Sequence, residues 1–188
     1  MMEERLRRIY GIHFKDADED SLRVRFACER LMHTINNSEL QDVEIREEAF
    51  RELFGSVGRD VYIQPPFYCD FGKNIFIGDG CYFNFNCTIL DTDRVQIGDR
   101  CWIAPNVQIY AATHPVDAEE RRTRCIAKPV TIGNDVWLGG GVIVCPGVTI
   151  GDRSVIGAGS IVTRDIPADC VAYGNPCRVR RMLMERHK

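Results

Sequence analysis

The sequence predicts a mainly β protein built as a parallel β-helix, with a helical cap before it and a short helix after it. Three observations lead to this fold class. A six-residue repeat runs from Ile75 to about Asp165. Glycine, asparagine and aspartate recur at the ends of the repeats, where they permit a bend into the next strand. The residues before the repeat have the apolar spacing of amphipathic helices.

The repeat is regular at two of its six positions. The third position is bulky and apolar, as in Ile77, Phe83, Ile89, Ile97, Ile103, Ile109, Ile132, Leu138, Val144, Ile150, Ile156 and Val162. The first position is small or β-branched, as in Ile75, Cys81, Cys87, Val95, Cys101, Val107, Val130, Val136, Val142, Val148, Ser154 and Ser160. Positions one and three of a strand point to the same face. Each hexad therefore predicts a short strand that stacked rungs of a coil can bury.

Other architectures fit the pattern less well. A β-sandwich with coincidental spacing is the alternative, but twelve aligned hexads argue against it. A helix is excluded, because a period of six matches neither helical period and the glycine content is hostile to helix. The usual rule for parallel crossovers favours a right-handed coil. Val61-Tyr62-Ile63 and Phe67-Tyr68-Cys69 are interpreted as two weaker hexads before the main run.

The chain divides into a cap, a coil and a C-terminal segment. Residues 1–57 form the helical cap, residues 58–165 the coil with an extruded loop at 113–128, and residues 166–188 an extended segment and helix. Within the cap, we expect a short charged helix over 1–10 and an amphipathic helix over Ser21–Asn36. A capping box at Ser38-Glu39-Leu40-Gln41 opens a second helix, with Val43, Phe50 and Leu53 on its apolar stripe, that ends near Phe54. The basic tail Val179–Lys188 is predicted to be an amphipathic helix.

Composition excludes several functional classes. The net charge is −3 and no basic tract is dense enough to bind nucleic acid. No apolar run is long enough to span a membrane, and the charged first residues do not form a secretory signal, so we expect a cytoplasmic protein. Among the nine cysteines, Cys81, Cys87 and Cys101 occupy the small inward position, where a free thiol packs as a compact apolar group. Cys125 and Cys145 remain candidates for a catalytic thiol, although no motif supports either.

Several motifs together resemble one family. They are the hexads, Thr113-His114-Pro115, Asn84-Phe85-Asn86, Lys128-Pro129-Val130-Thr131-Ile132-Gly133, Gly174-Asn175-Pro176-Cys177-Arg178, and the N-terminal helices followed by Phe67-Tyr68-Cys69-Asp70-Phe71-Gly72. These resemble the maltose and galactoside O-acetyltransferases of the hexapeptide-repeat acyltransferase superfamily. The resemblance implies a left-handed parallel β-helix, against the right-handed expectation. It also implies a homotrimer with active sites between neighbouring coils, acetyl-CoA as donor, a sugar hydroxyl as acceptor, and no metal.

His114 is the candidate general base. Transfer of an acetyl group to a hydroxyl needs a base for the hydroxyl proton and a donor for the developing oxyanion. Histidine is the usual base near neutral pH, and this one lies in a loop that interrupts the repeat. No serine or cysteine nucleophile motif is present, so direct attack in a ternary complex is favoured over an acyl-enzyme.

The resemblance assigns the other site residues. Asn84 would lie near His114 and bind the acceptor or the tetrahedral intermediate. Asp16, Asp70, Tyr82 and Asp91 would bind acceptor hydroxyls, although Asp91 could instead be a coil-corner residue. Trp137, Gly139, Gly140 and Ala158 would flank the pantetheine arm of acetyl-CoA, and Thr163, Arg164 and Arg178 would meet its nucleotide phosphates. The family often has lysine where Arg164 stands.

Three alternatives stay open. The γ-type carbonic anhydrases use the same coil but need three zinc-bound histidines, whereas His13, His33 and His187 lie in terminal segments here. A hexapeptide acetyltransferase could act on a non-sugar acceptor such as serine or an antibiotic. A non-catalytic trimeric scaffold would neither bind acetyl-CoA nor need the loop histidine.

Overall fold

The structure of the protein, a computed structural model, describes residues 19–39 and 41–183. Helices α1 (Glu19–Asn36) and α2 (Val43–Leu53) precede the coil, and the short helix α3 (Ala118–Arg121) lies in the extruded loop. The predicted helix over residues 1–10 and the candidate residue Asp16 lie outside the described residues. Helix α1 confirms the prediction of a helix over Ser21–Asn36.

Short strands make up the rest of the fold. They are β1 (Ser56–Val57), β2 (Tyr62–Ile63), β3 (Phe67–Cys69), β4 (Ile75–Ile77), β5 (Tyr82–Phe83), β6 (Cys87–Leu90), β7 (Val95–Ile97), β8 (Trp102–Ile103), β9 (Gln108–Tyr110), β10 (Ala112–Thr113), β11 (Ile126–Ala127), β12 (Val130–Ile132), β13 (Trp137–Leu138), β14 (Ile143–Val144), β15 (Thr149–Ile150), β16 (Val155–Ile156), β17 (Ile161–Val162), β18 (Cys170–Tyr173) and β19 (Arg178–Met182). The two weaker hexads predicted before the main run are the strands β2 and β3.

Three parallel sheets wind into a coil. The first sheet has the order β1-β4-β7-β12-β15, the second β2-β5-β8-β13-β16-β18-β19, and the third β3-β6-β9-β14-β17. Outside the pair β10–β11 and the final strands β18 and β19, consecutive strands of the chain fall in successive sheets, so each full rung contributes one strand to every sheet. This arrangement confirms the parallel β-helix. The left-handed winding implied by the resemblance stays a prediction.

The core consists of three columns of stacked side chains. In the second sheet, Phe83 pairs with Ile103, Ile103 with Leu138, and Leu138 with Ile156. Each of these four side chains is at most 1% exposed. The first hexad position also points inward, and the thiols of Cys81, Cys87 and Cys101 are buried there. The alternation read from the sequence therefore identifies the buried face correctly.

Truncating one core side chain should destabilise the whole coil. Leu138 is fully buried between the rungs above and below, so Leu138→Ala leaves a cavity that the rigid strands cannot close. We expect the free energy of unfolding in guanidinium chloride to fall by about 2–5 kcal/mol. Thr149→Ala, on the exposed face of β15, should change it by less than about 0.5 kcal/mol. Equal losses in the two variants would contradict this account of the core.

The first corner, between the first and second sheets, is held by a ladder of aspartate and asparagine side chains. Asp79 Oδ1 accepts from the Arg59 N–H at 2.8 Å, and Asp99 Oδ1 from the Asp79 N–H at 2.9 Å. The same contact recurs in the next rung, where Asn134 Oδ1 accepts from the Asp99 N–H at 2.8 Å. Glycine precedes these residues because a side chain would not fit: a Cβ on Gly78 would lie 2.2 Å from Asp99 Oδ1.

Ion pairs stack on the same corner and make stability sensitive to acid. Arg100 donates twice to Asp135 at 2.8 Å, and Arg153 donates to Asp169 at 2.6 and 2.7 Å. These hydrogen bonds hold the pKa of both carboxyls below the ordinary 3.8. The stabilisation that these two ion pairs give the folded state is therefore complete above pH 3.8 and is lost as the pH falls further. Because all four groups are largely exposed, the contribution is modest and is screened by salt.

We expect Asp135→Asn to flatten the acid decline of the melting temperature between about pH 5 and about pH 2. The variant loses the carboxylate whose protonation weakens the folded state, so its curve starts lower and falls less. Thermal melts across this range measure the effect, with Glu48→Gln on the exposed face of α2 as control. A decline as steep as that of the wild type would remove the corner ion pairs from the explanation.

The start of α2 differs from its prediction. The helix begins at Val43 and not within the proposed capping box, because the Ser38 hydroxyl donates back to the Ile35 carbonyl at 2.7 Å. Val43 is 41% exposed, and its place on the buried stripe is taken by Arg46, whose guanidinium donates to the Glu39 carbonyl. Phe50 and Leu53 are buried as predicted. Helix α2 thus packs against the first rungs of the coil, and the charged side chain buried under it, Arg46, has a hydrogen-bond partner.

The predicted C-terminal helix is wrong over the described part of the tail. Residues Arg178–Met182 form β19, which pairs antiparallel with β18. Strand β18 is the last parallel strand of the second sheet and would otherwise leave its backbone groups unpaired, so pairing outweighs helix propensity. Residues 184–188 lie outside the described ranges.

Candidate active site

The extruded loop is an ordered hairpin. It leaves the coil at Ala111 and returns at Lys128, whose N–H donates to the Ala111 carbonyl at 2.9 Å. Strands β10 and β11 pair antiparallel, with Thr113 opposite Ile126. At its tip, Asp117 Oδ1 accepts from two N–H groups at the start of α3. The loop that breaks the repeat therefore has its own hydrogen bonds, which fix the residues around His114.

His114 is exposed and is held by one backbone contact. Its Nδ1 lies 3.1 Å from the carbonyl oxygen of Arg124, on the opposite side of the hairpin. A carbonyl oxygen only accepts, so this contact assigns the proton to Nδ1. Nε2 then carries a lone pair, and no hydrogen-bond partner engages it among residues 19–39 and 41–183. An oriented imidazole with a basic Nε2 is the arrangement that a general base requires.

Asp70 lies on the same corner of the coil as His114, which we call the third corner, between the third and first sheets. It forms an ion pair with Arg25 of α1 at 3.2 Å, and both side chains are about one-fifth exposed, 20% and 22%. Burial raises the pKa of Asp70, and the charge of Arg25 partly offsets this. Burial and, after it, the charge of Asp70 raise the pKa of the thiol of Cys125 in the loop. A carboxylate that can accept from a hydroxyl is thus present near the hairpin.

Asp91 is a coil-corner residue. It is fully buried, its Oδ1 accepts from the N–H groups of Asp70 and Phe71 at 3.1 and 2.9 Å, and its Oδ2 from Asn74 at 3.3 Å. Burial raises its pKa, which the backbone hydrogen bonds oppose. With both oxygens engaged inside the corner, Asp91 supports the turn that presents Asp70 and does not itself face an acceptor.

Asn84 and Tyr82 lie at the second corner, between the second and third sheets. Asn84 Oδ1 accepts from the Phe85 N–H at 2.8 Å. Its amide nitrogen has no acceptor among residues 19–39 and 41–183, so it can donate to an oxyanion. Tyr82 is 37% exposed on the outer face of β5. A polar and an aromatic side chain thus lie two residues apart in the sequence at this edge of the second sheet.

Within one chain, Asn84 and His114 do not meet. Asn84 precedes a strand of the third sheet, whereas the loop of His114 follows a strand of that sheet. A strand of four residues such as β6 spans about 13 Å, too far for both side chains to contact one reacting atom. The expectation that Asn84 lies near His114 is therefore not met inside a single coil.

The residues predicted to bind acetyl-CoA lie mainly at the second and third corners. Gly139, Gly140 and Ala158 stack at the second corner beside Trp137, which is 51% exposed, and Thr163 and Arg164 are exposed at the third corner. A Cβ on Gly139 would lie 2.6 Å from the Ala158 nitrogen, so packing alone requires that glycine. A Cβ on Gly140 would meet nothing closer than 3.5 Å, so its bare backbone is open to a ligand. Exposed Arg178 begins β19 at the top of the coil.

Three features of this site were not predicted from the sequence. Arg25 holds Asp70, and the Arg124 carbonyl orients His114. Trp102 is 64% exposed, between Tyr82 and Trp137 on the second sheet. The alignment of the hexads could have revealed Trp102, because all three aromatic residues occupy the second, outward position. A contact to a backbone carbonyl leaves no sequence signal.

The surroundings of the two candidate thiols argue against the cysteine alternative. Burial raises the pKa of both candidate thiols, Cys125 and Cys145, which leaves less of the nucleophilic thiolate. Across residues 19–39 and 41–183, no three histidine, cysteine or acidic side chains gather as metal ligands. In the same ranges, no helix has the length and apolar composition that a bilayer span requires.

Comparison with known proteins places two family models on the chain. Residues 9–58 match the maltose acetyltransferase hexapeptide capping motif. Residues 129–164 match the bacterial transferase hexapeptide model of six repeats. The first match covers the predicted helical cap from residue 9 onward, and the second covers the most regular hexads.

Individual relatives match over almost the full length. The galactoside O-acetyltransferase of Escherichia coli K12 is 47% identical over 188 residues, which is 100% of this chain and 92% of that protein. A structure of galactoside acetyltransferase in complex with coenzyme A superposes with a TM-score of 0.89 at 48% identity, covering 91% of this chain and 86% of that one. A hexapeptide-repeat acetyltransferase from Vibrio cholerae, complexed with acetyl-coenzyme A, gives 0.87 at 41% identity, covering 94% and 98%.

Proposed function

Because this chain belongs to the hexapeptide-repeat acetyltransferases of the galactoside and maltose O-acetyltransferase type, we propose that it acetylates a hydroxyl group of a sugar. Membership confirms the resemblance read from the sequence and makes the protein an acetyl-CoA-dependent acetyltransferase. The sugar acceptor, the base and the assembly are the parts proposed here. The single observation that carries the proposal is the imidazole of His114, which the Arg124 carbonyl holds through Nδ1 so that Nε2 can accept a proton.

The chemistry follows from these groups. The acceptor oxygen forms a bond to the acetyl carbon, and the bond between that carbon and the sulfur of coenzyme A breaks. The hydroxyl proton passes to Nε2 of His114 and then to the departing thiolate. The Asn84 amide donates to the oxygen that becomes negative in the tetrahedral intermediate. Asp70 and Tyr82 bind the other hydroxyls and the ring of the sugar, and Asp16 remains an expected acceptor contact.

The residues at the second corner fit the donor. Trp137, Gly140 and Ala158 leave an open, mostly apolar wall for the pantetheine arm, where Gly140 lets the backbone approach closely. Arg164 and Arg178 are exposed cations that can pair with phosphates, and Thr163 can donate to them. Gly139 shapes this wall from inside the coil.

The site is completed by a second copy in a homotrimer. The separation of Asn84 from His114 by a full strand supports this arrangement, because a neighbouring coil can bring its second corner against the third corner of the first copy. The exposed Trp102 and Trp137 beside Asn84 would line the shared groove.

A direct assay tests the proposal. The purified protein is mixed with acetyl-CoA and glucose, galactose, maltose or lactose, and thiol release is followed over time. We expect release that depends on the sugar. Release with serine but with none of the sugars would favour a non-sugar acceptor. No release with any acceptor, together with no binding of acetyl-CoA, would favour the scaffold.

A further inference from the structure

Three sulfur atoms meet where the cap packs against the coil. Cys28 lies on α1 and Cys69 ends β3, and their Sγ atoms are 3.5 Å apart although 41 positions separate the two residues in the sequence. Met32 lies one helical turn after Cys28. Its Sδ accepts from the Cys69 N–H at 3.1 Å and lies 3.8 Å from Cys69 Sγ. One thiol of the cap is therefore in contact with one thiol of the coil.

Contacts on both sides hold these two thiols in register. At the C-terminal end of α1, the Asn36 side chain accepts from the Phe67 N–H and donates to the Phe67 carbonyl, both at 2.9 Å. In the turn of α1 before Cys28, Arg25 pairs with Asp70 at 3.2 Å. Because α1 is bound to β3 on both sides of the thiols, the two sulfur atoms are held as a pair of neighbouring reactants.

The surroundings favour a neutral bond between the two sulfur atoms. Cys28 is 1% exposed and Cys69 is 8% exposed. The hydrogen bond with the Cys28 thiol raises the pKa of Cys69 well above the ordinary 9.0, and burial and the charges of Asp91 and Asp70 raise it further. A disulfide carries no charge, and its sulfur atoms lie about 2.0 Å apart, so small rotations of both side chains are enough to form one.

We propose that Cys28 and Cys69 are a redox-active dithiol, which a peroxide oxidises to a disulfide that links the cap to the coil. The inference rests on the fold and does not depend on the proposed function. Because both sulfur atoms are buried, the oxidant has to be small, and hydrogen peroxide meets this requirement. The disulfide keeps α1 on β3, and with it Arg25 beside Asp70, when the protein meets an oxidant.

The oxidation takes two steps. The sulfur of Cys69, the more exposed of the two, attacks one oxygen of hydrogen peroxide, the O–O bond breaks, and water leaves a sulfenic acid behind. The sulfur of Cys28 then attacks the sulfenic sulfur, the S–O bond breaks, and a second water leaves. Each sulfur atom loses one electron, and the peroxide is reduced to two waters, which carry away both thiol protons. The raised pKa of Cys69 slows the first step, because the thiolate is the form that attacks.

Peptide mapping tests the proposal directly. The intact protein is incubated with hydrogen peroxide, its remaining thiols are alkylated, and it is digested with trypsin without reductant. Trypsin releases residues 26–30 and residues 60–73 as separate peptides, and each of them contains one cysteine. We expect a linked peptide with the summed mass of both less two hydrogens, which dithiothreitol separates again.

Thermal melting measures whether the bond holds the cap on the coil. A disulfide that closes a long loop stabilises a protein mainly by restricting the unfolded chain, so we expect oxidation to raise the melting temperature of the wild type by about 5–10 °C. Cys28→Ser and Cys69→Ser should each lose both the linked peptide and this rise. Cys125→Ser, which removes an exposed thiol from the extruded loop, is the matched control and should keep both.

Two results would overturn the proposal. One is the absence of the linked peptide, with Cys28 and Cys69 alkylated or separately oxidised under conditions that oxidise the exposed Cys125. The other is a linked peptide that forms without any change in the melting temperature, because the bond would then not hold the cap. Neither result bears on acetyl transfer, which the assay with sugars tests separately.

Discussion

Replacing His114 with alanine should lower turnover of acetyl-CoA and sugar by about two to four orders of magnitude, the usual contribution of a general base. The variant loses the Nε2 that accepts the hydroxyl proton, while the hairpin retains its own backbone pairing and its helix cap. Thiol release under saturating substrates measures the loss. Calorimetric titration with coenzyme A should give a nearly unchanged affinity, because the variant retains every residue that we assign to donor binding.

The control is His33→Ala, which removes an exposed histidine from α1 and should leave turnover unchanged. A loss of coenzyme A binding in His114→Ala would show that the loop acts in donor binding instead. Unchanged turnover in His114→Ala would exclude the imidazole as the base and leave the free Nε2 without a role.

Mixing two inactive variants should restore activity. We expect Asn84→Ala to lose about two to three orders of magnitude in kcat, as is usual when an oxyanion donor is removed. Suppose that each site takes His114 from one copy and Asn84 from its neighbour. When equal amounts of Asn84→Ala and His114→Ala assemble at random, half of the sites have an intact histidine. Half of those also have an intact asparagine, so about one quarter of the sites recover.

The experiment co-refolds equal amounts of the two variants and compares thiol release with each variant refolded alone. Sedimentation confirms that all three samples have the same assembly. Activity no higher than the mean of the two separate variants would mean that both residues act from the same chain, and the shared site would have to be abandoned.

The coil was predictable because two physical constraints repeat in every rung. Alternation places positions one and three on one face, and a third-position side chain such as Leu138 must be apolar to be buried. The tail was not predictable by the same argument. Arg178–Met182 has the composition of a basic helix, and only the unpaired edge of β18 selects the strand.

A site residue could be predicted where it interrupts the repeat. A contact that comes from a backbone carbonyl could not. His114 stands out because its loop interrupts the hexads. The contact that orients its ring comes from a carbonyl ten residues along the chain, which any sequence could supply. For Asp91 the sequence left two roles open, acceptor binding and a coil corner, and the backbone contacts it accepts make it the internal support of the turn. Burial, which decides between these roles, depends on neighbours in other rungs.

The reversal of chain direction at β19 affects how the molecule behaves at high concentration. A coil of parallel rungs that ended on a bare strand would present a template on which the next molecule could add, and filaments would grow along the axis. Here the last described strand runs antiparallel to β18 and is exposed along its whole length, with Arg178, Arg180 and Arg181 on it. An antiparallel edge strand that carries three arginines is a poor template for a further parallel rung, so the segment that completes the sheet also opposes axial polymerisation.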